Sequence, residues 1–150
     1  MADTVFDQDA VVNELNKIME TELAGVVRYT HYALMVFGYG RIPIVAWMRS
    51  QATESLAHAN EAGELITHLG SHPSLGIGPL LETHRHDIGD ILRESLDHET
   101  LALSAYYRLL ELVNGRHVLL EEYARRMIAL EEMHLAEVRK MLKKPGELSG

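Results

Sequence analysis

Glu22, His58, Glu99 and His134 stand where apolar side chains are expected. Each falls in mid-segment on a stripe whose other members, three and four residues apart, are mostly apolar. An ionised carboxylate in such a place costs several kcal/mol unless it is paired or binds a cation. Four such positions on four segments, at similar height, call for one shared explanation. The spacing supplies it: Glu22 to His58 is 36 residues and Glu99 to His134 is 35, so one device occurs twice. Glu131, three residues before His134, shares its helical face and can serve the same ion. A carboxylate-rich set with one imidazole per metal favours iron or manganese over structural zinc.

Four helical segments must position these groups. Glycine and proline cut the chain at Gly38 and Gly40, at Gly70 to Pro79, at Asn114-Gly115 and at Pro145-Gly146. The periodicity predicts helices over about Asp7–Phe37, Ile42–Leu69, Asp87–Val113 and Arg116–Lys143. Alternation of three and four along each stripe is the seam of a bundle packed at about +20°. Short turns make the first two helices one antiparallel hairpin and the last two another. The stretch Gly70 to His86 is long enough to run the length of the bundle as a crossover. The expected fold is all-α, a four-helix bundle in a single domain over 1–150 with its core at about 8–144. Met127, Tyr106 and Tyr123 are read as core, and Phe37, Tyr39, Ile42, Ile44 and Trp47 as an apolar end that self-association would cover.

Composition excludes several classes. The chain has no cysteine, so disulfide frameworks, thiolate clusters and cysteine nucleophiles are out. A net charge of −8 argues against nucleic acid as partner. Met1 to Asp9 carries three aspartates and no basic residue, unlike a signal peptide. With no long apolar run to span a membrane, the expected location is cytoplasmic.

Four runs carry a family resemblance: Leu15-Asn16-Lys17 with Glu22-Leu23 and Tyr29; His58-Ala59, Glu64, Ile66, Leu69 and Pro73-x-Leu75; Leu92-Arg93-x-x-Leu96-x-x-Glu99; and Glu131-Glu132-x-His134. In this order, from about Val12 to Met141, they resemble a bacterioferritin of the ferritin-like superfamily. The resemblance implies oxidation of Fe(II) by oxygen or peroxide at an intra-bundle di-iron site, and iron storage in a hollow homo-oligomeric shell. It implies Glu22 and Glu131 as ligands on opposite halves, with Glu22, Glu99 and Glu131 as the working carboxylates. His58 and His134 would each cap one iron, Glu99 would complete the second half, and Tyr29 would stand beside the metals.

The chain departs from the family at several points. Where the second helix should carry Glu-x-x-His, Ser55 stands three residues before His58. Glu54, four before it, can replace the missing ligand if the helix rotates or bulges; otherwise the first half keeps only Glu22 and His58. Leu56 occupies the place of the haem-ligating methionine, which removes that axial ligand. Little follows Pro145-Gly146 to form a fifth helix, so shells of 12 subunits or fewer join the 24-subunit one as expectations. His68, His72, His84 and His86 are either solvated loop residues or an accessory metal patch. Two other functions fit the same residues: a peroxide-handling di-metal protein like rubrerythrin or manganese catalase, though without the cysteines of a rubredoxin module, and a non-catalytic helical oligomer with a degenerate site, which Ser55 favours.

Overall fold

A computed structural model describes residues 5–80 and 82–148; the first four residues of the acidic Met1–Asp9 stretch lie outside it. The described residues form α1 (Gln8–Met35), α2 (Arg41–His68), α3 (Ile88–Val113) and α4 (Val118–Leu142). The four sequence-predicted helices are all present. Phe37 and Leu69, expected inside helices, fall in the turns that follow α1 and α2.

Local chemistry sets the ends. Asp7 caps α1 by accepting a hydrogen bond from the Ala10 amide at 3.1 Å, and His117 caps α4 through Nδ1 and the Leu120 amide at 3.3 Å. Arg41 Nη1 donates to the carbonyls of Ala33 and Val36 at 3.0 and 2.7 Å, satisfying two groups that the last turn of α1 would otherwise leave bare. Arg139 and Lys140 lie in the last turn of α4, where positive charge suits the helix dipole.

α1 packs against both α2 and α3, and α4 packs against α3. The core is divided. One cluster gathers Leu15, Ile18, Ile66, Tyr106, Leu109, Leu120 and Met127; the other, at the opposite end, gathers Tyr29, Val45, Met48, Ile91, Leu92 and Val138. Burying one such side chain fully is worth roughly 1.5–3 kcal/mol, so two such clusters can support a polar layer between them. Ile44 and Trp47, expected at the exposed apolar end, are half-buried against the second cluster, whereas Phe37, Tyr39 and Ile42 are exposed. Pro43 lies in the first turn of α2, where no amide hydrogen is needed.

The crossover, residues 69–87, climbs α1 in register. The Ser74 amide donates to Asn16 Oδ1 at 2.7 Å, the Gly78 amide to the Glu20 carbonyl at 2.8 Å, and Arg28 Nη1 to the Leu80 carbonyl at 2.7 Å. Gly78 permits the close approach: a Cβ there would stand 3.1 Å from both the Glu20 oxygen and the Thr21 Cα. Arg28 is buried, and its Nη2 also donates to the Glu94 carbonyl at 3.1 Å, so one guanidinium ties α1, the crossover and α3.

Candidate metal centre

Between the two apolar clusters the bundle is polar. Glu22, Ser55, His58, His98, Glu99 and Glu131 are all buried there. His58 Nδ1 lies 3.1 Å from Glu22 Oε2; His134 Nδ1 lies 3.7 Å from Glu99 Oε2 and 4.0 Å from Glu131 Oε2. Five of the sequence-predicted site residues thus meet in two groups. Glu22, His58 and Glu131 bring three ligand atoms within 4.8 Å of one another, and Glu99, Glu131 and His134 do the same. Glu131, expected on one half only, is common to both.

Glu54 does not join them. α2 is a continuous α-helix with no bulge at this point. The Glu54 side chain is 45% exposed and meets His58 from outside, its Oε1 3.8 Å from Nε2. Regular helical geometry keeps it about 100° from Ser55 around the axis, and Ser55 is the residue that faces inward. In this structure Glu54 therefore stands outside both ligand-type groups, as in the reading that leaves Glu22 and His58 alone on the first half. It sits instead on the outer side of the His58 ring, beyond hydrogen-bond distance of Nε2.

Two tyrosines orient the carboxylates. Tyr29 Oη donates to Glu99 Oε1 at 2.5 Å, and Tyr106 Oη donates to Glu22 Oε2 at 2.6 Å. Each comes from a different apolar cluster and reaches a glutamate on the other hairpin. Tyr106, read from the sequence as core, is core and hydrogen-bond donor at once. The signal was present: Tyr29 and Tyr106 each follow their own helix's glutamate by seven residues.

His98 was missed. It is 2% exposed, its Nε2 has no hydrogen-bond partner, and its ring meets that of Tyr29 edge-on at 6.3 Å. It lies on the Ile91, Ser95, Ala102, Ala105, Leu109 row of α3, which is buried along with the row read from the sequence. Gly25 makes room for it: a Cβ at Gly25 would stand 3.0 Å from His98 Nε2 and 2.8 Å from Ser55 Oγ.

The electrostatics show what the layer lacks. Burial pushes the Glu22 carboxyl above its ordinary range, against the opposing pull of His58. Glu131 is pushed up to about 12, first by burial and then by the charge of Glu99 beside it. Burial acts on Glu99 too, yet the proton shared by Glu131 and the nearness of His134 and His98 hold it below the usual range. Burial lowers His98 to about 4, while contact with Glu22 outweighs burial and raises His58. Burial and mutual repulsion thus favour protonated Glu22 and Glu131, and a cation beside them would favour their ionised forms. Glu131 Oε2 and His134 Nε2 remain buried with no hydrogen-bond partner. An acidic, partly unsatisfied ligand set of this composition fits divalent iron or manganese.

The ferritin-like domain profile matches residues 12–146. The chain belongs to the ferritin-like domain family. Its fold is shared with a ferritin-like, diiron-carboxylate protein of Bacillus anthracis, at 22% identity, TM-score 0.84, covering 93% of this chain and 99% of that one. A bacterioferritin-related dodecameric thioferritin of Bacteroides fragilis aligns at 21% identity and TM-score 0.85 over 91% of this chain and 86% of its own. The Desulfovibrio desulfuricans bacterioferritin, whose diiron site has been solved in different catalytic states, aligns at 26% identity and TM-score 0.78 over 90% and 79%. No curated protein matches the chain. As a ferritin-like protein with bacterioferritin neighbours, it has the all-α, two-hairpin bundle read from its sequence. Among the described residues no helix is long and apolar enough to cross a membrane.

Proposed function

We propose that this ferritin-like protein binds two iron ions per bundle and oxidises Fe(II) for storage or detoxification in a homo-oligomeric shell. The carrying observation is the pair of ligand groups joined at Glu131. Glu22 and His58 would hold one ion, Glu99 and His134 the other, and Glu131 would reach both. Held there, two Fe(II) ions would each give one electron to oxygen or peroxide and become Fe(III). The chain's own residues do the rest. Tyr29 and Tyr106 fix the carboxylates before metal arrives, which lowers the cost of organising the site. Glu131 gives up its proton on loading, because a ligand carboxylate must be ionised. The apolar clusters above and below keep bulk water out.

Diiron and bacterioferritin neighbours support iron, and the dodecameric neighbour supports a shell. Exposed Phe37, Tyr39, Ile42 and Met133 offer apolar surface for subunit contacts. The whole chain then acts as one cytoplasmic domain without haem, since Leu56 supplies no axial ligand. Ser55 favours one further reading, a shell subunit whose first half-site is too weak for paired oxidation.

Metal-free protein titrated with Fe(II) under argon and then exposed to air tests this, with light scattering for assembly. About two Fe(II) per chain, oxidised well above the protein-free rate by an oligomer, is the expected result. Glu99→Ala and His134→Ala should each lose binding at the second half. Oxidation at the protein-free rate would sink the ferroxidase reading, and one Fe(II) per chain without acceleration would establish the degenerate site.

A further inference from the structure

Near the top of the crossover a second cluster of ligand-type side chains lies away from the bundle centre. His31 is nine residues beyond Glu22 on α1, which places it about 13 Å along the axis and on the opposite face of the helix. His31 Nε2 stands 2.6 Å from Glu82 Oε2. His86 Nε2 stands 3.7 Å from the same oxygen, and the two imidazole rings are 5.9 Å apart, centre to centre. One ligand atom from each residue lies within 4.8 Å of the other two.

The backbone between the crossover ligands is arranged to hold them. His84 adopts φ 59°, the left-handed region, which turns the chain sharply between Glu82 and His86. Its amide donates to Glu82 Oε1 at 2.6 Å, fixing one carboxylate oxygen and leaving the other toward the histidines. His86 Nε2 is shielded from water yet has no hydrogen-bond partner, as a nitrogen awaiting an ion would be. A cavity of about 230 Å³, lined by His31, Glu82, Tyr32, Leu80 and Glu94, opens beside the cluster with room for water on the remaining coordination positions.

We propose that His31, Glu82 and His86 form a second metal site, taking a divalent transition ion such as Zn(II) and clamping the crossover to α1. Two imidazoles and one carboxylate suit zinc and its neighbours, and three protein ligands leave an open position. Of the four histidines the sequence assigns to the crossover, His68 ends α2 and only His86 contributes; its partner comes from α1. The site does not rest on the iron reading of the bundle centre.

The test is Zn(II) titration of the metal-free full chain against a competing chelator. Wild type, Glu99→Ala/His134→Ala, His31→Ala/His86→Ala and Glu82→Gln are compared, with amide exchange of residues 82–87 as second readout. The centre variant should keep a Zn(II) equivalent that slows exchange in this segment. The two crossover variants should lose it, or bind it at least about tenfold more weakly, as removal of metal-shell groups does. Glu82→Gln preserves shape at an exposed position, so the result stands even where the double variant fails to fold. Zn(II) affinity at this equivalent unchanged by Glu82→Gln, or exchange in 82–87 unaffected by Zn(II) in wild type, overturns the proposal.

Discussion

Glu22 and His58 on the first hairpin face Glu99 and His134 on the second, and the correspondence runs further. Each glutamate is followed seven residues later by a tyrosine that serves the opposite glutamate. The halves part company three residues before each histidine, where the second has Glu131 and the first has Ser55. Around Ser55 the first half has lost bulk and charge: Gly25 presents no side chain, and His98 fills the space with an unpartnered nitrogen. One carboxylate, Glu131, therefore belongs to both ligand-type groups. The comparison teaches that pseudo-symmetry can survive in the scaffold while the ligands are unevenly shared.

The largest effect should follow loss of that shared group. Glu131→Ala is expected to abolish stoichiometric Fe(II) binding in both halves, a fall beyond the roughly 10–100-fold typical of losing an outer partner. Glu22→Ala should spare the second half. Anaerobic Fe(II) titration decides: if Glu131→Ala still binds one ion like wild type, Glu131 does not bridge.

The protons held by the metal-free layer come next. Glu22, Glu131 and His58 have folded values above their ordinary ones, so the stability they contribute is greatest at low pH and is lost as pH rises toward those values. Glu99 is shifted the other way and acts only in the acid range. His98, lowered to about 4, works the other way below the ordinary histidine range, so it is between pH 7 and 8 that the metal-free protein should lose stability with rising pH, by up to about 1.4 kcal/mol per pH unit for each extra proton held by the folded state. Metal displaces the proton on Glu131, so loaded protein should show a flatter dependence. Denaturant melts of chelated and loaded protein across this range measure both; equal slopes would contradict the proton-for-metal exchange.

Repairing the asymmetry should have a smaller effect. Ser55→Glu places a carboxylate beside the unpartnered His98 Nε2 and should tighten Fe(II) at the first half about tenfold. Glu54→Ala, which removes only the exposed carboxylate behind His58, should weaken it less than that. Calorimetric titration of both variants orders them, and a larger loss from Glu54→Ala than from Glu22→Ala would reinstate Glu54 as a ligand.

The helices and their pairing were legible because breakers and apolar stripes are local signals. Glu22, His58, Glu99, Glu131 and His134 were legible for a related reason, since polar groups on an apolar stripe violate an expectation. Glu54 misled because sequence spacing allows i, i+4 sharing, and only the regularity of α2 decides against it. His98 sits on a row adjacent to the one read from the sequence, and a broad buried face hides which row is inward. The His31–Glu82–His86 cluster joins a helix to a loop whose path depends on a crossover register that no periodicity encodes.

The crossed tyrosines have a consequence for how the chain reaches its native state. The two hydrogen bonds join residues separated by 70 and 84 positions, and both run from one hairpin to the other. A hairpin formed alone leaves its glutamate in the middle of its apolar face without the tyrosine hydroxyl that the other half supplies. Contacts of such sequence separation carry a loop-closure cost that is met only when the two hairpins dock. The hydrogen bonds that orient Glu22 and Glu99 can form only when the right halves have met.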